Sequence, residues 1–175
     1  MSTRAQMQVE GNPVLIYKHL DGYPDGVLPT LEPFLKTFVK RRGWDDSEYM
    51  TAQISRAFAV EEYKEEYFDP YLSWGLGTEI HGDLNFFYLI RKNKADENGK
   101  VEIYEPIWQE YKHETFEGVR PLRLGKMRED EGLRPVWAKY VKGNPRDESK
   151  RYFGAKPSLK RMKLTETVEI EIKEK

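Results

Sequence analysis

The chain has 175 residues, 38% of them hydrophobic and 34% charged, with a formal net charge of −1. That length suits one main core with room for an appendage, and the lean apolar content is offset by 13% aromatic residues, each of which buries a large area. The absence of cysteine excludes disulfides, thiolate catalysis and cysteine-held zinc or iron–sulfur centres. Apolar runs of only a few residues exclude a helix that spans a bilayer, and the polar stretch 1–11 lacks a signal-peptide core, so a cytoplasmic location without a membrane partner is expected.

Residues 14–19, Val-Leu-Ile-Tyr-Lys-His, form a short apolar run expected to be a strand covered on both faces. It ends in Asp21-Gly22-Tyr23-Pro24-Asp25-Gly26, a dense turn signal. A helix follows, with Leu31, Leu35, Phe38 and Val39 at helical spacing and Phe34 beside them. Thr30 is its expected N-cap, Pro33 falls in its first turn, and Lys40, Arg41, Arg42 and Gly43 mark its end. A second helix opens near Asp46 or Ser47 and carries a stripe of Met50, Ile54, Ala57 and Phe58, running to about residue 63 or 67.

Residues 69–78 are expected to be a loop. Residues 79–91 resemble a strand with Leu84, Phe86, Tyr88 and Ile90 on one face and Asn85, Phe87 and Leu89 on the other. Asn98-Gly99 and the run 101–105 complete a hairpin. Beyond Pro106 the periodicity weakens, with a short helix expected over 135–140 and a loop over 143–157. Residues 164–172 then alternate cleanly as a strand that joins the main sheet or a second copy. There is no internal repeat. The expected class is α+β, a small, mainly antiparallel sheet with two helices packed on one face. The expected divisions are a core over 12–112, a basic, loop-rich extension over 113–163 and a closing strand over 164–175. Scarce Asn and Gln beside abundant Glu, Lys and Tyr suit a hot environment.

Charge is unevenly spread. Residues 44–70 hold eight acidic and two basic residues, whereas 134–163 hold ten basic and two acidic. Within the basic stretch, Lys139, Lys142, Arg146, Lys150, Arg151, Lys160 and Arg161 are interleaved with Trp137, Tyr140 and Tyr152. Cations meet phosphates and aromatic rings stack on unpaired bases, so these ten residues are candidates for nucleic-acid binding. The plainer reading is a solvated segment, or one that neutralises the acidic helix within the chain or across a homodimer.

Two of the three histidines repeat one pattern, His19-Leu20-Asp21 and His81-Gly82-Asp83. In extended chain, residues two apart project to the same side, so each pair presents an imidazole with a carboxylate. If the strands holding them are neighbours, the four side chains meet, a donor set suited to a divalent metal or to a His–Asp general base acting on a phosphate ester or nucleotide. The structural alternative is that Asp before Gly builds a turn and His caps a strand end. No phosphate-binding glycine loop, H-E-x-x-H or G-x-S-x-G is present.

The segments 17–27 and 77–88 resemble a family of uncharacterised prokaryotic and phage-encoded proteins. That family pairs a Y-R/K-H-x-D-G-Y-P-x-G turn with a later H-G-D-[IL]-x-[YF]-x-Y strand, and the resemblance covers roughly residues 14–105. It implies a small domain carried on mobile elements and supplies no mechanism. Together these features point to a non-enzymatic accessory or interaction protein of viral or mobile-element origin, whose basic C-terminal segment contacts nucleic acid or an acidic protein surface, with a metal-dependent enzyme and a structural homo-oligomer as the alternatives.

Overall fold

The computed structural model describes residues 3–62, 74–110, 133–136 and 156–172. They form an α+β fold built on a six-stranded sheet. In chain order the elements are β1 (Ala5–Val9), β2 (Leu15–Lys18), α1 (Pro24–Arg42), α2 (Ser47–Glu62), β3 (Trp74–Gly77), β4 (Phe86–Lys92), β5 (Gly99–Pro106), β6 (Trp108–Glu110), β7 (Leu133–Pro135) and β8 (Met162–Ile170). The sheet order is β3-β2-β1-β4-β5-β8, and β6 pairs with β7 in a separate ribbon. Every neighbouring pair is antiparallel except β1 and β4. No described helix is long and apolar enough to cross a membrane.

Both helices cover one face. Ala5, Met7 and Val9 of β1, Ile16 of β2, Tyr88 and Ile90 of β4, Val101 and Ile103 of β5 and Ile170 of β8 meet Leu31, Leu35 and Phe38 of α1 and Met50, Ile54 and Phe58 of α2. The apolar stripes expected for the two helices are therefore the buried ones, with Val27 added and Ala57 only partly buried. Asp46 caps α2 by accepting a 3.0 Å bond from the Tyr49 N–H.

The opposite face carries a smaller core of Leu15, Leu84, Phe87, Leu89 and Met162, with Tyr17, Ile80, Tyr104, Val136 and Leu159 packed against it. Leu84 belongs here and not with Phe86, Tyr88 and Ile90, because β4 starts only at Phe86 and the alternation does not extend back through the turn.

Four further expectations need correction. Residues 5–9 form the central strand: Ala5, Met7 and Val9 point to the helices, while Gln6 and Gln8 alternate to the other side. It follows that β2 and β4 are not neighbours, since β1 lies between them. Residues 74–77 are an edge strand on β2, not loop.

The first helix begins at Pro24, well before Thr30. Tyr23 is its N-cap and Pro24 sits where a missing N–H costs little. Pro29 and Pro33 lie four residues apart on the exposed side, so the carbonyls that lose an intrahelical donor face water. Finally, residues 133–135 are strand, and the rest of the helix expected over 135–140 lies outside the described residues apart from Val136, which is in a turn.

The outer strand β8 pairs with β5 from Met162 to Ile170, with a register shift opposite Ile103 and Tyr104. The bulge falls at Thr165, whose hydroxyl donates to the Ile103 carbonyl at 3.1 Å. It reverses the side-chain alternation, so Met162 joins the second core while Val168 and Ile170 join the first. With Lys163, Glu166 and Glu169 exposed along it, this edge is poorly suited to pairing with another strand.

Candidate functional site

The first face is filled by helices, so the second face and the strand ends beside it hold the candidate chemistry. Tyr17 alternates with Ile16 on β2 and therefore projects to the second face. Residues 78–85 leave β3 and cross the start of β1 to reach β4. The fully buried Gln6 holds this crossing as a strand partner would: its Nε2 donates to the Glu79 carbonyl at 3.1 Å, and its Oε1 accepts from the His81 N–H at 2.9 Å. Asn85 fixes the far end. Its side chain accepts the Arg4 N–H at 2.9 Å, and its own N–H donates to the Arg4 carbonyl at 2.9 Å.

This crossing brings His81 onto Tyr17, with ring centroids 4.7 Å apart and planes at 31°. The Tyr17 hydroxyl and His19 Nδ1 share a 3.2 Å hydrogen bond. Both histidines of the H-x-D words thus converge on one tyrosine, although their strands are not neighbours. The carboxylates do not accompany them as a set. Asp83 pairs with the Arg4 guanidinium. Asp21 lies in a left-handed turn conformation, φ 50°, immediately before Gly22. Each pair sits in a bend, not in extended chain, so the same-side rule on which the four-ligand expectation rests does not apply. Among the described residues no three His, Asp or Glu side chains are grouped to hold a metal.

The electrostatics favour neutral rings. Burial pushes the Tyr17 phenol above its usual range, with Arg4 opposing. Desolvation holds the His81 imidazole below its usual range, Arg4 acts in the same direction, and Glu79 opposes. Both groups are thereby favoured in their neutral forms, which can stack and share hydrogen bonds.

The rest of the H-x-D-G word is occupied by architecture. The Gly22 N–H donates to the Thr3 carbonyl at 2.9 Å, and the Gly22 carbonyl accepts the buried Tyr88 hydroxyl at 2.7 Å. Tyr88 closes the second recognisable segment, so the two segments are joined by this bond.

A second polar group lies on the same face at the β4–β5 hairpin. The buried Glu102 carboxylate accepts from Lys100 at 2.7 Å, the Tyr104 hydroxyl at 2.8 Å and Arg91 at 3.2 Å, and Arg91 also pairs with Glu10. Burial alone would raise the Glu102 pKa, but its hydrogen-bond donors outweigh it and hold the carboxyl below its usual range. A depressed carboxylate stabilises the fold above its unfolded pKa, and that contribution is lost as pH falls through the folded value. Glu102→Gln should thus cost about 1–3 kcal/mol near neutrality. Urea denaturation should show the gap to the parent narrowing below about pH 4; an equal gap at both pH values would refute this assignment.

The ends of the basic stretch are well defined. Ile107 donates its N–H to the Arg161 carbonyl at 3.2 Å and accepts the Val136 N–H at 2.8 Å. Both feet of the segment 137–155 are therefore tied to one residue, and Val136, Leu159 and Met162 pack into the second core. At its return, Lys156 bonds Glu79 at 2.6 Å, two residues from His81. Lys160 and Arg161 lie in a 3-10 turn, Leu159–Arg161, with Lys160 exposed. The candidates Trp137, Lys139, Tyr140, Lys142, Arg146, Lys150, Arg151 and Tyr152 lie outside the described residues.

Sequence reasoning does not single out Arg4, Gln6 or Tyr17 for this site. The A-Q-M-Q-V alternation of residues 5–9 is the one signal that bears on Gln6. No protein-family model, no curated protein and no solved structure matches this chain.

Proposed function

We propose that this protein is a non-enzymatic accessory protein, of phage or mobile-element origin, that binds nucleic acid through its basic segment. One observation carries the reading: the segment leaves and returns at Ile107 on the sheet face away from the helices. The two feet are thereby fixed side by side on that face, which lowers the ordering cost of bringing their cations to a polyanion. The return foot, residues 156–163, holds four cations and no acid, and Lys156, Lys160 and Lys163 are exposed. The acidic helix α2 packs on the other side of the sheet, so neutralisation of the feet by α2 within one chain is disfavoured. The bonds that tie Asp83, Gly22 and Tyr88 into the fold account for the two recognisable segments without a reaction.

The test is binding to labelled single- and double-stranded oligonucleotides across a salt series. The parent should bind at low salt, with log affinity falling linearly in log salt concentration. A variant with Lys139, Lys142, Arg146, Lys150 and Arg151 changed to Gln keeps the chain length. It should flatten that slope by about 0.7–0.9 for each phosphate that it no longer neutralises. Absence of binding at low salt, or a slope unchanged in the variant, would sink the proposal.

A further inference from the structure

Next to the return foot stands the stacked pair of Tyr17 and His81. Tyr17 is half-buried and packed on the second core, whereas His81 is exposed and stacks on Tyr17 with centroids 4.7 Å apart. The backbone under His81 is fixed by the buried Gln6, so the ring is held ready instead of being ordered on contact. Ile80 and Leu159 pack against the same apolar cluster, Lys156 of the return foot bonds Glu79 of the crossing segment, and the 3-10 turn that follows carries Lys160 and Arg161. The two carboxylates of the crossing segment are each held by a cation, Glu79 by Lys156 and Asp83 by Arg4, so neither presents an unbalanced charge to a phosphate.

An exposed aromatic ring on a rigid support, with a cation-bearing foot bonded to the same segment through Lys156 and Glu79, is an arrangement that can receive an unpaired base while cations meet the backbone. A base inside a duplex has its faces covered by its neighbours and cannot use such a ring without leaving the stack. We propose that His81, backed by Tyr17, is a base-stacking platform, and that the preferred ligand is single-stranded nucleic acid. This rests on the nucleic-acid reading above and adds a residue outside the basic segment to it.

The test is fluorescence anisotropy at low salt with a labelled oligothymidylate and a duplex of equal length, using the full chain. His81→Ala should weaken oligothymidylate binding about tenfold or more and leave duplex binding within twofold. His81→Phe keeps a stacking face and should retain most of the parental affinity. Melting curves of both variants close to the parent confirm that the fold is intact, since His81 is exposed. If His81→Ala changes single-strand affinity by less than twofold while the five-cation Gln variant loses it, the platform is refuted and the basic segment stands. If His81→Phe fails as badly as His81→Ala, stacking is refuted in favour of an imidazole-specific contact. If the parent binds neither oligonucleotide, both readings fall together.

Discussion

Phe87→Ala should destabilise the protein by about 3–5 kcal/mol, the range for removing a large aromatic side chain from a packed interior. Phe87 is fully buried, yet it faces away from both helices. Its companions include Leu84 and Met162, and the partly buried Ile80, Val136 and Leu159 pack against the same cluster. Those last residues come from the crossing segment and from the two feet of the basic stretch. A cavity at Phe87 should therefore be felt at the feet before it is felt among the helices.

Native-state hydrogen exchange separates the two regions. In the variant the Ile107 and Val136 amides, which bond Arg161 and Ile107, should lose more protection than the amides of α2. Urea denaturation gives the global figure. Uniform loss of protection across both faces would mean that the second cluster is not a separate support for the basic segment.

The legible and illegible parts of this fold divide by what each residue type signals. The β4–β5 hairpin is readable because Phe86, Tyr88 and Ile90 alternate with Phe87 and Leu89 around a polar connection. The helix α2 is readable because Met50, Ile54 and Phe58 recur at four-residue spacing and are the apolar residues it buries. The central strand β1 is hidden because two of its five residues are glutamines, which ordinarily mark a surface. Gln6 is buried to serve the crossing segment, a tertiary requirement that no local pattern announces.

The start of α1 is misplaced for a different reason. Pro24, Asp25 and Gly26 are turn vocabulary, and Pro followed by Asp is equally good first-turn helix vocabulary. At the candidate site the two H-x-D words flag the right segments. The convergence of His19 and His81 on Tyr17 depends on β1 and Gln6, so the geometry could not be read from the words themselves.

Gly22→Ala is the sharpest test of what the first of those words is for, and it should cost about 3 kcal/mol. A Cβ on Gly22 would stand 2.7 Å from the Ala5 Cβ, 2.8 Å from the Ala5 nitrogen and 2.9 Å from the Arg4 carbonyl carbon. Two of these three are backbone atoms at the start of the central strand, which cannot rotate aside. Overpacking of this kind costs about 1–3 kcal/mol. Moving Gly22 outward would in addition stretch its bonds to Thr3 and Tyr88, each worth about 1 kcal/mol.

Its neighbour Asp21 offers the contrast. Asp21→Asn keeps a side chain that tolerates the left-handed conformation at φ 50° and should change stability by less than about 0.5 kcal/mol. A catalytic word would show the reverse order, with the carboxylate indispensable to activity and the glycine merely convenient. Chemical denaturation of the two variants, with binding measured beside it, decides between them. If Gly22→Ala is as stable as the parent, the close approach to β1 does not constrain that residue, and the architectural account of the word fails with it.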